Sequence, residues 1–182
     1  MEHRTNDELE EGLERIRQAP ADAGTLELIV RRPDVDEREI LEAGTLNHDE
    51  GLAGDTWNIR GSRRTEDGSS HPDMQLNVMN ARAIELLAGP RDRWALAGDQ
   101  LYLDLDISEQ NLPAGTRLQI GDAVIEVTAQ PHTGCKKFAA RFGADALRFV
   151  NSETGKALRL RGLNARVVVP GTIRRGDTVT KA

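Results

Sequence analysis

The chain has 182 residues, 38% hydrophobic and 30% charged, with a formal net charge of -6; that is the length and composition of one folded soluble domain with a real core, not of a disordered chain. An acidic balance argues against a non-specific nucleic-acid binder, which draws its affinity from Lys and Arg on phosphates. No apolar run approaches the roughly 20 residues of a membrane span, the N-terminus does not resemble a signal peptide, and one cysteine permits no internal disulfide, so a cytoplasmic protein without nucleic-acid or membrane partners is expected.

Thr5 and Glu8 have capping-box spacing, and Leu9, Leu13 and Ile16 recur at helical intervals until Pro20. This predicts an amphipathic helix in an N-terminal extension, residues 1–24, ahead of a single domain over residues 25–182. "TLELIVRR" (25–32) reads as a strand stopped by Pro33. "DVDEREILEAG" reads as a short helix or a turn-rich connection. Residues 51–73 form an irregular stretch rich in Gly, Ser, Asp and Arg, and a loop of that length in a compact domain is functional or mobile. "QLNVMNARAIELLAG" (75–89) gives a short strand or helix opening, then Ala83, Ile84, Leu87 and Ala88 on one helical face, with Gly89-Pro90 as the stop.

The period then changes. In "LYLDLDI" (101–107), Leu101, Leu103, Leu105 and Ile107 alternate with Tyr and Asp, which predicts a strand with one buried face. "TRLQI" (116–120) and "AVIEVTA" (123–129) flank Gly121-Asp122 as a hairpin. "KFAARFGADALRFV" (137–150) returns to helical spacing around Gly143, and "LNARVVV" (163–169) and "TIRRGDTVTK" (172–181) are two further strand candidates separated by Pro170-Gly171. Many short strands with three convincing helices predict a mainly β fold, a barrel with peripheral helices.

Chemistry concentrates in "QPHTGCKKF" (130–138). Cys135 is the sole cysteine, with His132 three positions before it and Lys136 and Lys137 after it. A lone cysteine can be a small buried hydrophobe, but polar neighbours on both sides suit a loop mouth better. The thiolate is the nucleophile and metal ligand, and nearby cations or helix amides lower a thiol pKa from about 8.5. His48, His71 and His132 lack the short spacings of a structural zinc site and read as scattered solvent histidines. Arg60, Arg63 and Arg64 in the irregular loop, Arg82 at a helix start and "RLRG" (159–162) could present guanidinium forks to a phosphate or carboxylate. No Walker loop, Gly-x-Gly-x-x-Gly or Gly-x-Ser-x-Gly is present, which removes the common nucleotide, dinucleotide and hydrolase readings.

"GLAGD" (51–55), "QLNVMNARAIELL", "NLPAGTRLQIGDAVIEVTAQPHTGCKKF" and "RGLNARVVVPGTIRRGDTV" together resemble the MOSC domain, the module named after the C-terminal domain of molybdenum cofactor sulfurase. The resemblance covers residues 25 to 181. It implies a stand-alone MOSC-type β-barrel in which Cys135 handles molybdenum or sulfur. In members of the amidoxime-reducing type, the matching cysteine ligates a molybdenum held by a pterin cofactor, which implies reduction of small N-oxygenated substrates. In other members it is proposed to carry a persulfide, which implies a sulfur-carrier module served by a cysteine desulfurase. On this resemblance Cys135, His132 and Lys136 are the catalytic candidates, and Arg60, Arg63, Arg64, Arg82, Asn80, Asp55 and Lys137 the cofactor-binding ones. A redox partner is the other implied associate. The chain departs from the family where many members have Gly-Glu-Asn-Leu and it has "GDQL" (98–101), and where they have Arg-x-Pro-Cys and it has "PHTGC". It has neither the extra N-terminal barrel of the amidoxime reductases nor the desulfurase domain, so pyridoxal phosphate is not expected.

Overall fold

The computed structural model describes residues 3–182. The elements run α1 (Asn6–Glu11), α2 (Leu13–Arg17), β1 (Ala23–Arg31), β2 (Glu39–Leu41), β3 (Ala43–Asn47), β4 (Gly51–Leu52), α3 (Trp57–Arg60) and a 3-10 turn at Pro72–Met74. They continue with β5 (Leu76–Asn80), α4 (Ala81–Ala88), a 3-10 helix (Arg91–Ala97), β6 (Leu101–Asp104), β7 (Arg117–Ile120) and β8 (Ala123–Val127). The chain closes with α5 (Lys136–Phe142), α6 (Ala144–Asn151), α7 (Glu153–Ala157), β9 (Leu163–Val169), β10 (Gly171–Arg174) and β11 (Thr178–Lys181).

The predicted mainly β barrel is observed. The main sheet runs β11-β7-β8-β9-β5-β6-β1, and pairing of β11 with β1 closes it. Closure leaves no free edge in the ring, while β2 extends β1 outside it and β10, β3 and β4 form a second small sheet. Every barrel pair is antiparallel except β5 with β6, and that parallel pair is joined by α4 and the 3-10 helix, the crossover that parallel strands require.

Two apolar clusters explain the strand patterns. Leu26, Ile29, Val78, Leu101, Leu103, Ile125 and Val179 fill the barrel interior. Leu28, Val30, Met79 and Tyr102 point outward from the same strands, beneath α1, α2, α4, α5 and α6. Hence β6 is buried on both faces instead of one. Tyr102 is fully buried and its hydroxyl donates to Trp94 O at 2.9 Å. The capping box at Thr5 forms as its spacing predicts, but Gly12 divides the helix into α1 and α2, and a Cβ there would lie 2.4 Å from Leu86 Cδ1. Gly143, at φ 98°, likewise divides the single predicted helix of residues 137–150 into α5 and α6. The segment read as a helix or turn-rich connection supplies β2, and the last strand candidate splits into β10 and β11 around the Arg175-Gly176 turn.

Strand directions place one barrel end under the chemistry. The registers Val78 with Leu101, Ile29 with Leu101, Val127 with Ala165 and Val78 with Leu163 bring the start of β6, the start of β9, the end of β8 and the end of β1 together.

Candidate functional site

At that end, residues 128–135 leave β8 and lead into α5. Buried side chains pin the segment. Asn164, fully buried on β9, donates through Nδ2 to Gln130 O at 3.1 Å and Pro131 O at 3.2 Å. Asn151, at the end of α6, accepts from Gly134 N at 2.9 Å and donates to Gly134 O at 3.2 Å. Gly134 lies so close to α6 that a Cβ would sit 2.8 Å from Leu147 Cδ1 and 2.9 Å from Val150 Cγ2. Beyond these anchors Cys135 is exposed in extended backbone at the N-cap position of α5, its carbonyl accepting from Ala139 N at 3.0 Å. Its side chain makes no cap bond, and among the described residues the sulfur has no hydrogen-bond partner.

The segment before β6 is held just as firmly. Carbonyls at the end of the 3-10 helix lack intrahelical partners, and three arginines supply them. Arg141 Nη1 donates to Leu96 O at 2.7 Å, Arg161 Nη2 to Ala97 O at 3.1 Å and Arg32 Nη1 to Gly98 O at 3.1 Å. Asp99 follows, fully buried, with Oδ2 2.7 Å from Arg161 Nη1 and Oδ1 3.0 Å from His132 Nε2. Burial opposes its charge, but the Arg161 charge and the hydrogen bonds from His132 and Arg161 win, holding the carboxyl below its ordinary value. Asp55 is the second buried carboxylate, gripped by Arg32 through Nε at 2.9 Å and Nη2 at 2.7 Å, the paired fork that makes an arginine–carboxylate contact specific. Here too hydrogen bonds and charge from Arg32 outweigh burial, and the carboxyl is lowered. From Arg32 the network continues through Asn77 and Asn164 to the cysteine segment.

Two openings are lined by residues close to Cys135 in the chain, although Cys135 itself lines neither. One is a cavity of about 390 Å³ whose lining includes His132, Thr133, Lys156, Arg159 and Arg161. The other is a cleft of about 210 Å³ walled by Arg32, Arg38, Arg60, Lys137 and Arg141 with Asp34 and Asp36 as its carboxylates. Asp55 satisfies Arg32, and Asp36 is shared between Arg141 at 3.1 Å and Lys137 at 3.5 Å. Arg38 Nε is buried without a partner among the described residues, and burial followed by the charges of Arg141 and Arg32 lowers the pKa of its guanidinium. The cleft therefore carries surplus positive charge, which suits an anion.

Of the residues singled out from the sequence, the structure brings Lys137 and Arg60 into the cleft wall and His132 into the cavity wall, while Cys135 lines neither opening and stands two residues before Lys137. Lys136 is exposed in the first turn of α5, and Arg63 and Arg64 are exposed in the loop after α3, where Arg64 reaches Gln130 at 3.4 Å. Arg82 and Asn80 join neither opening. Arg82 is taken by Asp104 at 2.7 Å and by Arg15 O, while Asn80 caps α4 and donates to Leu105 O at 2.7 Å. Asp55 lies beneath the cleft as the partner of Arg32. His132 is not a solvent histidine. Its side chain is 14% exposed and burial, then the Arg161 charge, lowers its pKa against the opposing pull of Asp99. Sequence reasoning picked out Arg161 within "RLRG" as an anion-binding candidate, where it instead pairs with Asp99, and missed Asp99, Asn151, Asn164, Arg38 and Arg141. Only the departure at "GDQL" pointed toward one of them.

Known proteins reproduce this architecture. The fold is shared with the YUAD protein from Bacillus subtilis at TM-score 0.65 and 14% identity, covering 86% of this chain and 94% of that one. It is also shared with YiiM from Escherichia coli at TM-score 0.55 and 20% identity, over 87% of this chain and 69% of that one. YiiM from Geobacillus stearothermophilus matches at TM-score 0.54 and 16% identity, over 89% and 73%. No curated protein matches this sequence. The family model of the MOSC domain matches residues 69–180, more than half of the chain and the barrel strands from β5 to β11 apart from the last residue of β11. With the family model and the closed barrel in agreement, the chain belongs to the MOSC domain family.

Proposed function

We propose that this protein binds a molybdenum–pterin cofactor, with Cys135 as the protein ligand of the metal, and acts on small N-oxygenated substrates. The observation that carries this reading is an exposed, unpartnered sulfur two residues before Lys137, which walls a cationic cleft. A soft, accessible thiolate is what molybdenum requires of its protein ligand, and the surplus of guanidinium and ammonium groups is more than a sulfur carrier needs. Arg38, Arg60, Lys137 and Arg141 would receive the phosphate of the cofactor. When bound, the cofactor supplies a two-electron redox centre. The chain itself fixes the cysteine segment through Asn151 and Asn164 and keeps the cleft positive. Arg63, Arg64 and Lys136 stand near enough in the chain to add long-range attraction for an anion.

Elemental analysis of protein from a host that makes the cofactor tests the reading. Stoichiometric molybdenum is expected, lost in Cys135→Ser and reduced in Arg38→Ala and Lys137→Ala. Molybdenum content that is the same in Cys135→Ser as in the parent sinks the proposal.

The same exposed thiol favours one second reading, a sulfur carrier. Cys135 thiolate would attack the outer sulfur of a desulfurase persulfide, forming a new S–S bond on Cys135 and releasing the donor cysteine as thiolate. Intact mass after incubation with a desulfurase and cysteine would then gain one sulfur, absent in Cys135→Ser. No gain in the protein without molybdenum removes this reading.

A further inference from the structure

The cavity wall holds a second chemical device, built from groups other than the cysteine. Asp99 is wholly buried, and a carboxylate can only accept hydrogen bonds, so the proton in its 3.0 Å contact with His132 sits on Nε2. The same carboxylate accepts from Arg161 Nη1 at 2.7 Å, which ties its second oxygen to a permanent cation. Gly162 fixes the edge of the ring that faces inward. A Cβ on Gly162 would lie 3.1 Å from His132 Cδ2 and 3.2 Å from Asp99 Oδ1, so Gly162 leaves room for the Cδ2 edge of the ring beside Asp99. The opposite ring nitrogen, Nδ1, has no hydrogen-bond partner among the described residues, although the ring lines an opening of about 390 Å³.

The charged groups around the ring are Asp99, Arg161 and Arg32, with Glu109, Lys156 and Arg159 elsewhere on the cavity wall. A second cation beside Arg161 is disfavoured by burial and by Arg161 itself, against which Asp99 acts alone. A neutral imidazole held by its Nε2–H presents an unshared pair at Nδ1.

We propose that Asp99 is a positioning residue that locks His132 in the Nε2–H tautomer, making Nδ1 the proton acceptor that the cavity offers to an N–H or O–H group of a small ligand. The assignment goes beyond the cofactor reading and does not depend on it, since neither Asp99, His132 nor Arg161 walls the cleft. Arg161 is the counter-charge that keeps Asp99 ionised when the ring is neutral, so the arrangement needs no proton on His132 to hold together.

Side-chain nitrogen NMR of the full chain, with His132 assigned by its loss in His132→Gln, reads the tautomer directly. At neutral pH the expected spectrum shows a protonated Nε2 and an unprotonated Nδ1. In Asp99→Asn the carboxamide oxygen stays with Arg161 and its NH₂ faces the ring, so the tautomer should flip to Nδ1–H. A merely structural contact would not move that signal. Carbethoxylation by diethyl pyrocarbonate, mapped by peptide mass, should modify His132 in the parent and lose that adduct in Asp99→Asn. An Nδ1–H ring or an imidazolium in the parent at neutral pH overturns the proposal, as does an unchanged tautomer in a folded Asp99→Asn. Should Asp99→Asn not fold, the tautomer of the parent and its reaction with the reagent decide the matter alone, and an unreactive His132 counts against it.

Discussion

Gly162 stands at φ 111° just before β9, in backbone that a side chain rarely adopts, and a Cβ there would come within 2.4 Å of Val78 O. Gly162→Ala is therefore expected to cost more than about 1 kcal/mol of stability, and a urea midpoint equal to that of the parent would contradict the close packing. The variant should also disturb His132, because the same methyl would lie against His132 Cδ2. Asn151 makes a contrasting case. Its amide clasps both backbone groups of Gly134 from a half-buried position. Truncation to Ala is expected to cost about 0.5–1.5 kcal/mol, with its main effect local. Hydrogen exchange at Gly134 should accelerate in Asn151→Ala while amides of β9 keep their protection; equal acceleration in both would mean that the clasp serves the whole fold. At this scale the two departures from the family pattern acquire a physical relation. Asp99 of "GDQL" and His132 of "PHTGC" touch each other across 33 positions of sequence, and Arg161 joins them from 62 positions beyond Asp99. Such a cluster leaves no periodic or spacing signal, which is why the sequence singled out His132 and the Arg161 of "RLRG" separately but could show neither their meeting nor Asp99 between them.

The strands were readable because their side chains alternate against a barrel interior, and the Gly121 hairpin was readable from its turn. What local patterning cannot report is a second layer on the outside. Along β6 the alternation of Leu101 and Leu103 with Tyr102 predicts one wet face, yet α4 and the 3-10 helix cover Tyr102 completely. The tyrosine keeps its hydroxyl in that dry layer by donating to Trp94 O. Tyr102→Phe retains the ring but leaves the Trp94 carbonyl without that donor, so a loss of about 1–2 kcal/mol is expected in chemical unfolding. An unchanged midpoint would show that the hydroxyl contributes nothing net. Helix boundaries failed for a related reason. Gly12 and Gly143 sit where the chain passes under Leu86 and His3, contacts made by residues far away in sequence, so a continuous helical period was broken by tertiary packing. Arg82 was misleading for the same cause: its place at a helix start suggested anion binding, and Asp104 across the parallel β5–β6 pair consumes it.

For the whole molecule, one barrel end concentrates its buried charge, and this couples folding to pH. His132 has its pKa lowered in the native state by burial and by Arg161, whereas in the unfolded chain it titrates near its ordinary value of about 6.5. Below that pH the unfolded chain takes up a proton that the native protein does not, so stability falls as the pH drops until the native ring also protonates. Asp99 acts further into acid. Its native carboxyl titrates below the ordinary value of about 3.8, so its stabilisation is fully present above that pH and is lost as the pH falls through the native value. Stability should consequently rise with pH across both windows, in the order Asp99 and then His132. Urea unfolding followed as a function of pH provides the measurement, with His132→Gln as the control. The variant should lose the part of the slope that begins near a pH of about 6.5 and keep the part at lower pH. A parent whose stability is flat through the upper window, or a His132→Gln curve with the same fall there, would place the proton uptake elsewhere. Because Asp99 and Arg161 remain paired in His132→Gln, the surviving acid limb would separate the carboxylate from the imidazole, and the barrel end would be titrating as two events.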